Sequence, residues 1–279
     1  MSQLQLIGVL EIGLIYAIVA IAVFITFRII DFPDLTVDGS FTLGAAVSAA
    51  MIASGYNPYI ATMVAICAGA CAGVVTGYLN VKWGILGLLS GILTMTALYS
   101  INLRVMQRPN IAIIDEPTIF GLHSVIPISC IIIVIIVLLL TKFFATEFGL
   151  AIRAIGINEK VSTAYGINVK IMKIAALAIS NAIVALSGSL FTQSQGFADI
   201  SMGAGTVIVG LAAVIIGETI LHPKKIIISL VTCIIGSIAY RLAIAFALNA
   251  HDIGLEASDL NLISAVLVAT IMRFSKIKS

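Results

Sequence analysis

Residues 131–173 read IIIVIIVLLLTKFFATEFGLAIRAIGINEKVSTAYGINVKIMK, and the change of character inside this stretch decides the fold class. The run Ile131–Leu140 carries no polar side chain. A membrane β-strand alternates apolar and polar residues, so this run reads as lipid-embedded helix. From Lys142 onward the chain turns basic: Lys142, Arg153, Lys160, Lys170 and Lys173 are five of its fifteen Lys and Arg residues. A charged helical excursion in a lipid-like chain is a place where a soluble partner can grip it.

The rest of the chain agrees with this reading. It is 61% hydrophobic and 10% charged, where soluble domains carry about 25% charged residues. The class is therefore all-α: a polytopic helical membrane protein, one transmembrane domain over residues 1–279, with the lipid bilayer as its solvent. A formal net charge of +2 gives nucleic acid no reason to bind. The first apolar run, Leu6–Phe27, contains Glu11 and lacks a basic leader or small-residue cleavage site, so it reads as a retained span. Cys67, Cys71, Cys130 and Cys233 fall in predicted spans, match no zinc spacing and read as small apolar packing residues.

Apolar runs set against turn and charge signals give about nine membrane segments: 6–27, 40–53, 58–81, 85–103, 123–144, 171–192, 205–221, 225–248 and 259–274. A crossing needs about 20 residues, so 40–53, 205–221 and 259–274 are short. With 142–173 in the cytoplasm, alternation places Arg28, Lys82, Lys142, Arg153, Lys160, Lys170, Lys173, Lys224, Lys225, Arg273, Lys276 and Lys278 on that side. Only Arg104 and Arg108 fall outside, and Arg241 lies within a span. The positive-inside rule then predicts N-terminus out and C-terminus in. Residues 104–122, with Arg104, Arg108, Asp115 and Glu116, and 249–258, with His251, Asp252 and Glu256, are charged outer loops on which a soluble partner could dock, although a solvated loop of mixed charge needs none.

Two glycine ridges, Gly69/Gly73/Gly77 and Gly87/Gly91, permit close helix approach, which internal packing explains more readily than a subunit interface. Two discontinuities are more telling. The stretch 28–45, RIIDFPDLTVDGSFTLGA, puts Pro33, Asp31, Asp34, Asp38 and Gly39 between apolar runs. There Asp38 looks like the cap of its own helix. The second break, QSQGFADISMGAGT over 193–206, precedes a short segment. Broken helices beside glycine are features of transporters. Candidate pathway residues are Glu11, Asp38, Asn181 and Arg241; Glu11 and Arg241 both fall toward the outer half, where they are candidates to pair. For each, a structural hydrogen bond or snorkelling is the competing reading.

Several chemistries are absent. There is no GxxxxGK[ST], so ATP is not bound by a P-loop in this chain. There is no HExxH; His123, His222 and His251 are far apart, and no Ser-His or paired-carboxylate arrangement suggests an intramembrane hydrolase.

Three stretches resemble the permease subunits of bacterial ABC importers that serve branched-chain amino acids and ribose-like sugars. They are GLIYAIVAIAVFITFRIIDFPDLTVDGSFTLGAA (13–46), with Tyr16, Ala17, Asp38, Gly39, Gly44 and Ala45; FGLAIRAIGINEKVSTAYGINV (148–169), with Arg153, Ala154, Gly156, Asn158, Ala164, Gly166 and Ile167; and GAGTVIVGLAAVIIGETILHPKK (203–225). The likeness spans roughly 8–245, and PDLTVDGS resembles a subgroup linked to aromatic amino-acid uptake. One departure is Gly217-Glu218, where the family often has paired glycines.

The resemblance implies that the region about 145–170 is a coupling element seated in a cytoplasmic ATPase, with Gly156 and Gly166 bracketing a short helix. It implies no cofactor in this chain, with ATP and Mg held by the partner. It also implies a second permease copy or related permease, an extracytoplasmic substrate-binding protein, and a place in the bacterial plasma membrane. The substrate would be an amino acid or similar small polar solute. The alternatives are an ATP-independent secondary carrier working through Glu11 or Arg241, and a lipid-processing enzyme using Asp31, Asp34 and Asp38.

Overall fold

A computed structural model describes residues 3–121, 124–221, 223, 225–249 and 270. Its first helix, α1 (Gln3–Phe24), widens into a π-helical turn over Ile25–Ile29 before the chain breaks at 30–35. Next come α2 (Thr36–Ala53), α3 (Pro58–Trp83), α4 (Gly87–Met106), a short strand β1 (Asn110–Ala112) and α5 (Val125–Ala145). The excursion forms α6 (Glu147–Ile157) and α7 (Glu159–Ala164). The chain re-enters the bundle as α8 (Val169–Gln195), followed by β2 (Phe197–Asp199), α9 (Thr206–Ile220) and α10 (Ile226–Asn249).

Among the described residues seven helices are long and apolar enough to cross a membrane, and α9 is a further apolar helix of fifteen residues. These account for eight of the nine expected segments. The ninth, 259–274, lies outside the described residues, as do His123, His222, Lys224, Arg273, Lys276, Lys278 and almost all of the 249–258 loop. The expected segment 40–53 starts earlier, at Thr36, because the Asp34 carboxylate accepts the Thr36 amide at 2.9 Å and so opens the helix. A purely helical chain was expected, but β1 and β2 pair antiparallel, Asn110 opposite Asp199 and Ala112 opposite Phe197. This ribbon ties the ends of α4 and α8 together.

The glycine ridges are internal. A Cβ at Gly69 would meet Ala185 and the Asn181 backbone, at Gly73 the Leu177 backbone, and at Gly77 Ile174, so α3 lies backbone-close along α8. Gly87 and Gly91 likewise receive Phe32 and the Leu35 backbone of the 30–35 break. The centre of the bundle is α1, α2 and α8, whose facing residues from Ile15 to Ile25 and from Val184 to Leu190 include many with no solvent exposure.

The helix ends sort into two groups. Gly156 of α6 lies against the Ile29 backbone, Arg28 pairs with Glu218 near the end of α9, and Asn80 and Val81 of α3 share a cleft with 159–173. The ends of α1, α3, α5 and α9 therefore gather with the starts of α8 and α10, and this basic end carries Arg28, Lys82, Lys142, Arg153, Lys160, Lys170, Lys173 and Lys225. The ribbon lies at the other end, with the end of α4 and Arg104.

Candidate functional site

The 30–35 break is held by a buried polar network. Asn181 of α8 donates through Nδ2 to Asp34 Oδ2 (2.8 Å) and the Leu177 carbonyl (3.0 Å), and its Oδ1 accepts from Ser40 Oγ (2.7 Å). Thr36 and Thr76 join hydroxyls at 2.7 Å. All of these side chains are buried, and in a low-dielectric interior each is worth most when every partner is present. Beyond Thr76, α3 runs on to Trp83, so α2 starts about 10 Å inside the bundle from that end. Asn181 is therefore a fully buried fastener of the break.

Asp38 caps a helix, but not the expected one. Its Oδ2 accepts the Gly205 amide at 2.9 Å and its Oδ1 the Val207 amide at 2.8 Å, so the carboxylate closes the start of α9. Sequence spacing suggested a local cap; Asp38 already lies in the first turn of α2, which Asp34 opens, leaving its side chain free to reach across. The free amides and the positive end of the α9 dipole favour a carboxylate there. Thr42 Oγ1 accepts the Gly203 amide at 3.1 Å and donates to the Asp38 carbonyl at 3.2 Å, holding the turn before α9 against α2. Two helices, α2 and α9, thus begin inside the bundle and meet through Asp38.

Beside this junction lies a cavity of about 420 Å³ lined by Asp38, Gly39 and Thr42 of α2, Met95, Thr96, Tyr99 and Asn102 of α4, and Ile200, Ser201 and Ala204. Sequence reasoning missed Asn102 and Tyr99, since nothing in the α4 pattern sets them apart from ordinary span residues. A second buried cluster, Gln193 with Ser48, Thr62 and Ser189, stands nearer the ribbon and ties in the Ile119 amide at 2.9 Å.

Glu11 and Arg241 form no ion pair. Arg241 instead places its guanidinium 4.0 Å from the centroid of the Tyr16 ring. Tyr16 in turn packs on Phe41 and Phe191, with centroids 5.6 and 5.8 Å away. A cation over an aromatic face replaces the carboxylate partner suggested by sequence position.

At the basic end, α6 and α7 are separate helices broken at Asn158, whose side chain caps α7 by accepting the Val161 amide at 3.1 Å. The short helix α7 lies between Gly156 and Gly166, with Gly156 itself in the last turn of α6. Gly166, with φ of +81°, ends α7, and the Ile167 amide bonds back to Ser162. Ala154 is half-buried and Ala164 exposed. Arg153 is exposed and shares a cleft of about 260 Å³ with Arg28, Gly156 and Lys225. Two residues that the sequence reading passed over stand out here: Ile157 is 87% and Tyr165 83% exposed.

Comparison with known proteins fits this architecture. The family described as "Branched-chain amino acid transport system / permease component" matches residues 5–275. This chain belongs to that family. It is 40% identical over 264 residues to a tyrosine transport system permease protein of Clostridioides difficile (strain R20291), covering 94% of this chain and 88% of that protein. It is 36% identical over 273 residues to an uncharacterised protein of Rickettsia prowazekii (strain Madrid E), covering 94% and 95%. Among solved structures, PsaBC from Streptococcus pneumoniae in complex with Fab superposes with a TM-score of 0.55 at 13% identity over 99% of this permease and 94% of that chain, a likeness of fold. The permease is a multi-pass protein of the bacterial inner membrane and a transport subunit.

Proposed function

We propose that this permease is the translocation subunit of an ABC importer, with α6–α7 as the element that engages a separate cytoplasmic ATPase. The observation that carries this reading is the excursion itself. It leaves the bundle at the basic end, is fastened to the π-helical turn of α1 through Gly156, and presents Ile157, beside Arg153, and Tyr165 to solvent. Exposed apolar residues rimmed by charge are the usual composition of an interface core. A push on α6 would be felt at Ile29, and from there along α1 to the face that packs on α9.

ATP and Mg would be bound by the ATPase. A second copy or a related permease would complete the path, and an extracytoplasmic binding protein would deliver the solute at the ribbon end. The basic end is then cytoplasmic, the N-terminus out and the C-terminus in. The substrate is an amino acid; the tyrosine transport relative supports an aromatic one. A secondary carrier working through Arg241 is less well supported, since that guanidinium is held over the Tyr16 ring.

The test is gentle affinity purification of the tagged permease from native membranes. Recovery of a P-loop ATPase, lost when Tyr165→Asp is introduced, is expected. Purification of the intact permease with no ATPase would overturn the reading.

A further inference from the structure

The cavity between α2, α4 and the 200–204 turn has one-sided hydrogen-bonding chemistry. The Thr42 hydroxyl donates to the Asp38 carbonyl, the Thr96 hydroxyl to the Ile92 and Leu93 carbonyls, and the Ser201 hydroxyl to Asp199. Asn102 donates its amide to the Gly39 carbonyl at 3.3 Å. That leaves Asn102 Oδ1 buried with no partner, in a side chain only 1% exposed that lines the cavity. A buried amide oxygen without a donor has given up its hydration with nothing in return, so such atoms call for an explanation.

The second acceptor on this wall is Asp38. Each of its oxygens holds one amide of α9, which leaves lone pairs on both. The N-terminus of α9 is thereby closed to an anionic ligand. Apart from the exposed Tyr99 phenol, the polar groups of the wall offer lone pairs. The remaining wall, Met95, Ile200, Ala204 and the Tyr99 ring, is apolar.

We infer that this cavity is a solute subsite that reads a primary ammonium attached to an apolar or aromatic body, with Asn102 Oδ1 and the Asp38 carboxylate as its acceptors. The inference deepens the transport reading and rests on it. The ammonium gives its donors to Asn102 Oδ1 and Asp38, its charge faces Asp38, and the side chain of the solute lies against Met95 and Tyr99 in an otherwise apolar lining. A volume of about 420 Å³ accommodates an aromatic amino acid with water to spare. Because Asp38 also closes α9, occupancy of the cavity and the seating of α9 share one carboxylate.

The test needs no ATPase, so its failure is separable from that of the importer reading. Thr96→Cys is introduced into the full chain with Cys67, Cys71 and Cys130 changed to Ala, and a small thiol reagent is applied in membranes. L-tyrosine, L-tryptophan, L-phenylalanine and L-leucine are the probes, each beside its analogue lacking the amino group. A saturating amino acid that fills the cavity should slow labelling about tenfold, whereas the des-amino analogue should not. Asn102→Leu should abolish protection, and Asn102→Asp should retain it. Lack of protection by all four amino acids, equal protection by the des-amino analogues, or protection undiminished in Asn102→Leu would each overturn the proposal.

Discussion

Gly156 lies so close to the Ile29 backbone that any Cβ there would strike the Ile29 carbonyl oxygen. In a helix, Gly→Ala ordinarily gains about 1 kcal/mol. Here the obstacle is backbone, which cannot swing aside as a side chain does. Gly156→Ala should leave the chain inserted but lower solute uptake at least tenfold, because α6 must move off the end of α1. Gly8→Ala, where the added Cβ meets nothing, is the control and should transport normally. Uptake assays normalised to membrane content of the permease decide this.

Asn181 and Asp34 should behave as a coupled pair. Asn181→Leu strips the Asp34 carboxylate of its amide donor inside the bundle, and should cost about 3 kcal/mol or more. Asn181→Asp sets two carboxylates face to face and should be equally harmful. Asp34→Asn added to Asn181→Asp should recover most of the loss, since one amide and one carboxylate are again opposed. Thermal unfolding in detergent of the unaltered chain, Asn181→Asp, Asp34→Asn and the double variant gives the coupling energy directly.

Asp38→Asn keeps an acceptor for one α9 amide but removes the charge at the helix start and one of two bonds. A loss of about 1–2 kcal/mol is expected, with Asp38→Ala costing more. Protease sensitivity of the 200–205 turn should rise in the same order, because that turn is held to α2 by Asp38 and Thr42.

The ion pair of Arg28 with Glu218 should matter little to stability. Both side chains are partly in solvent, at 51% and 24%, and exposed pairs are worth about 0–1 kcal/mol. Glu218→Gln should shift the unfolding temperature only slightly, with the difference shrinking at high salt.

Asp199, in the ribbon outside the spans, should give stability a small dependence on pH. Hydrogen bonds from the Ser201 hydroxyl and amide hold its carboxyl below the ordinary carboxylate value of 3.8. A depressed native pKa means that the contribution is present above the unfolded value and is lost as pH falls through the native one. Ser201→Ala should lower stability slightly at neutral pH and flatten the acid limb below about pH 4, so that the two proteins converge at low pH. Parallel acid titrations of the two proteins test this.

The sequence alone determined what short-range pattern can carry. Uninterrupted apolar runs such as Ile131–Leu140 require helices in lipid, because every backbone group must be bonded within its own segment. Charge and glycine mark where those runs must stop, so the break after Arg28, the short segment after Gly205 and the excursion from Glu147 to Ala164 were all legible. Family membership was legible too, since motifs in register survive as strings. Tertiary structure decided which partner each polar side chain took. Asp38 could have capped its own helix, and only the arrival of α9 beside α2 gave it the Gly205 and Val207 amides. Arg241 met an aromatic face where a carboxylate was expected. Asn102 acquired meaning only when α4 crossed α2 at Gly39, leaving its Oδ1 without a donor. A hydrogen bond or a cation–ring contact is set by a few ångströms of three-dimensional distance, and partners more than a hundred residues apart leave no trace in local spacing.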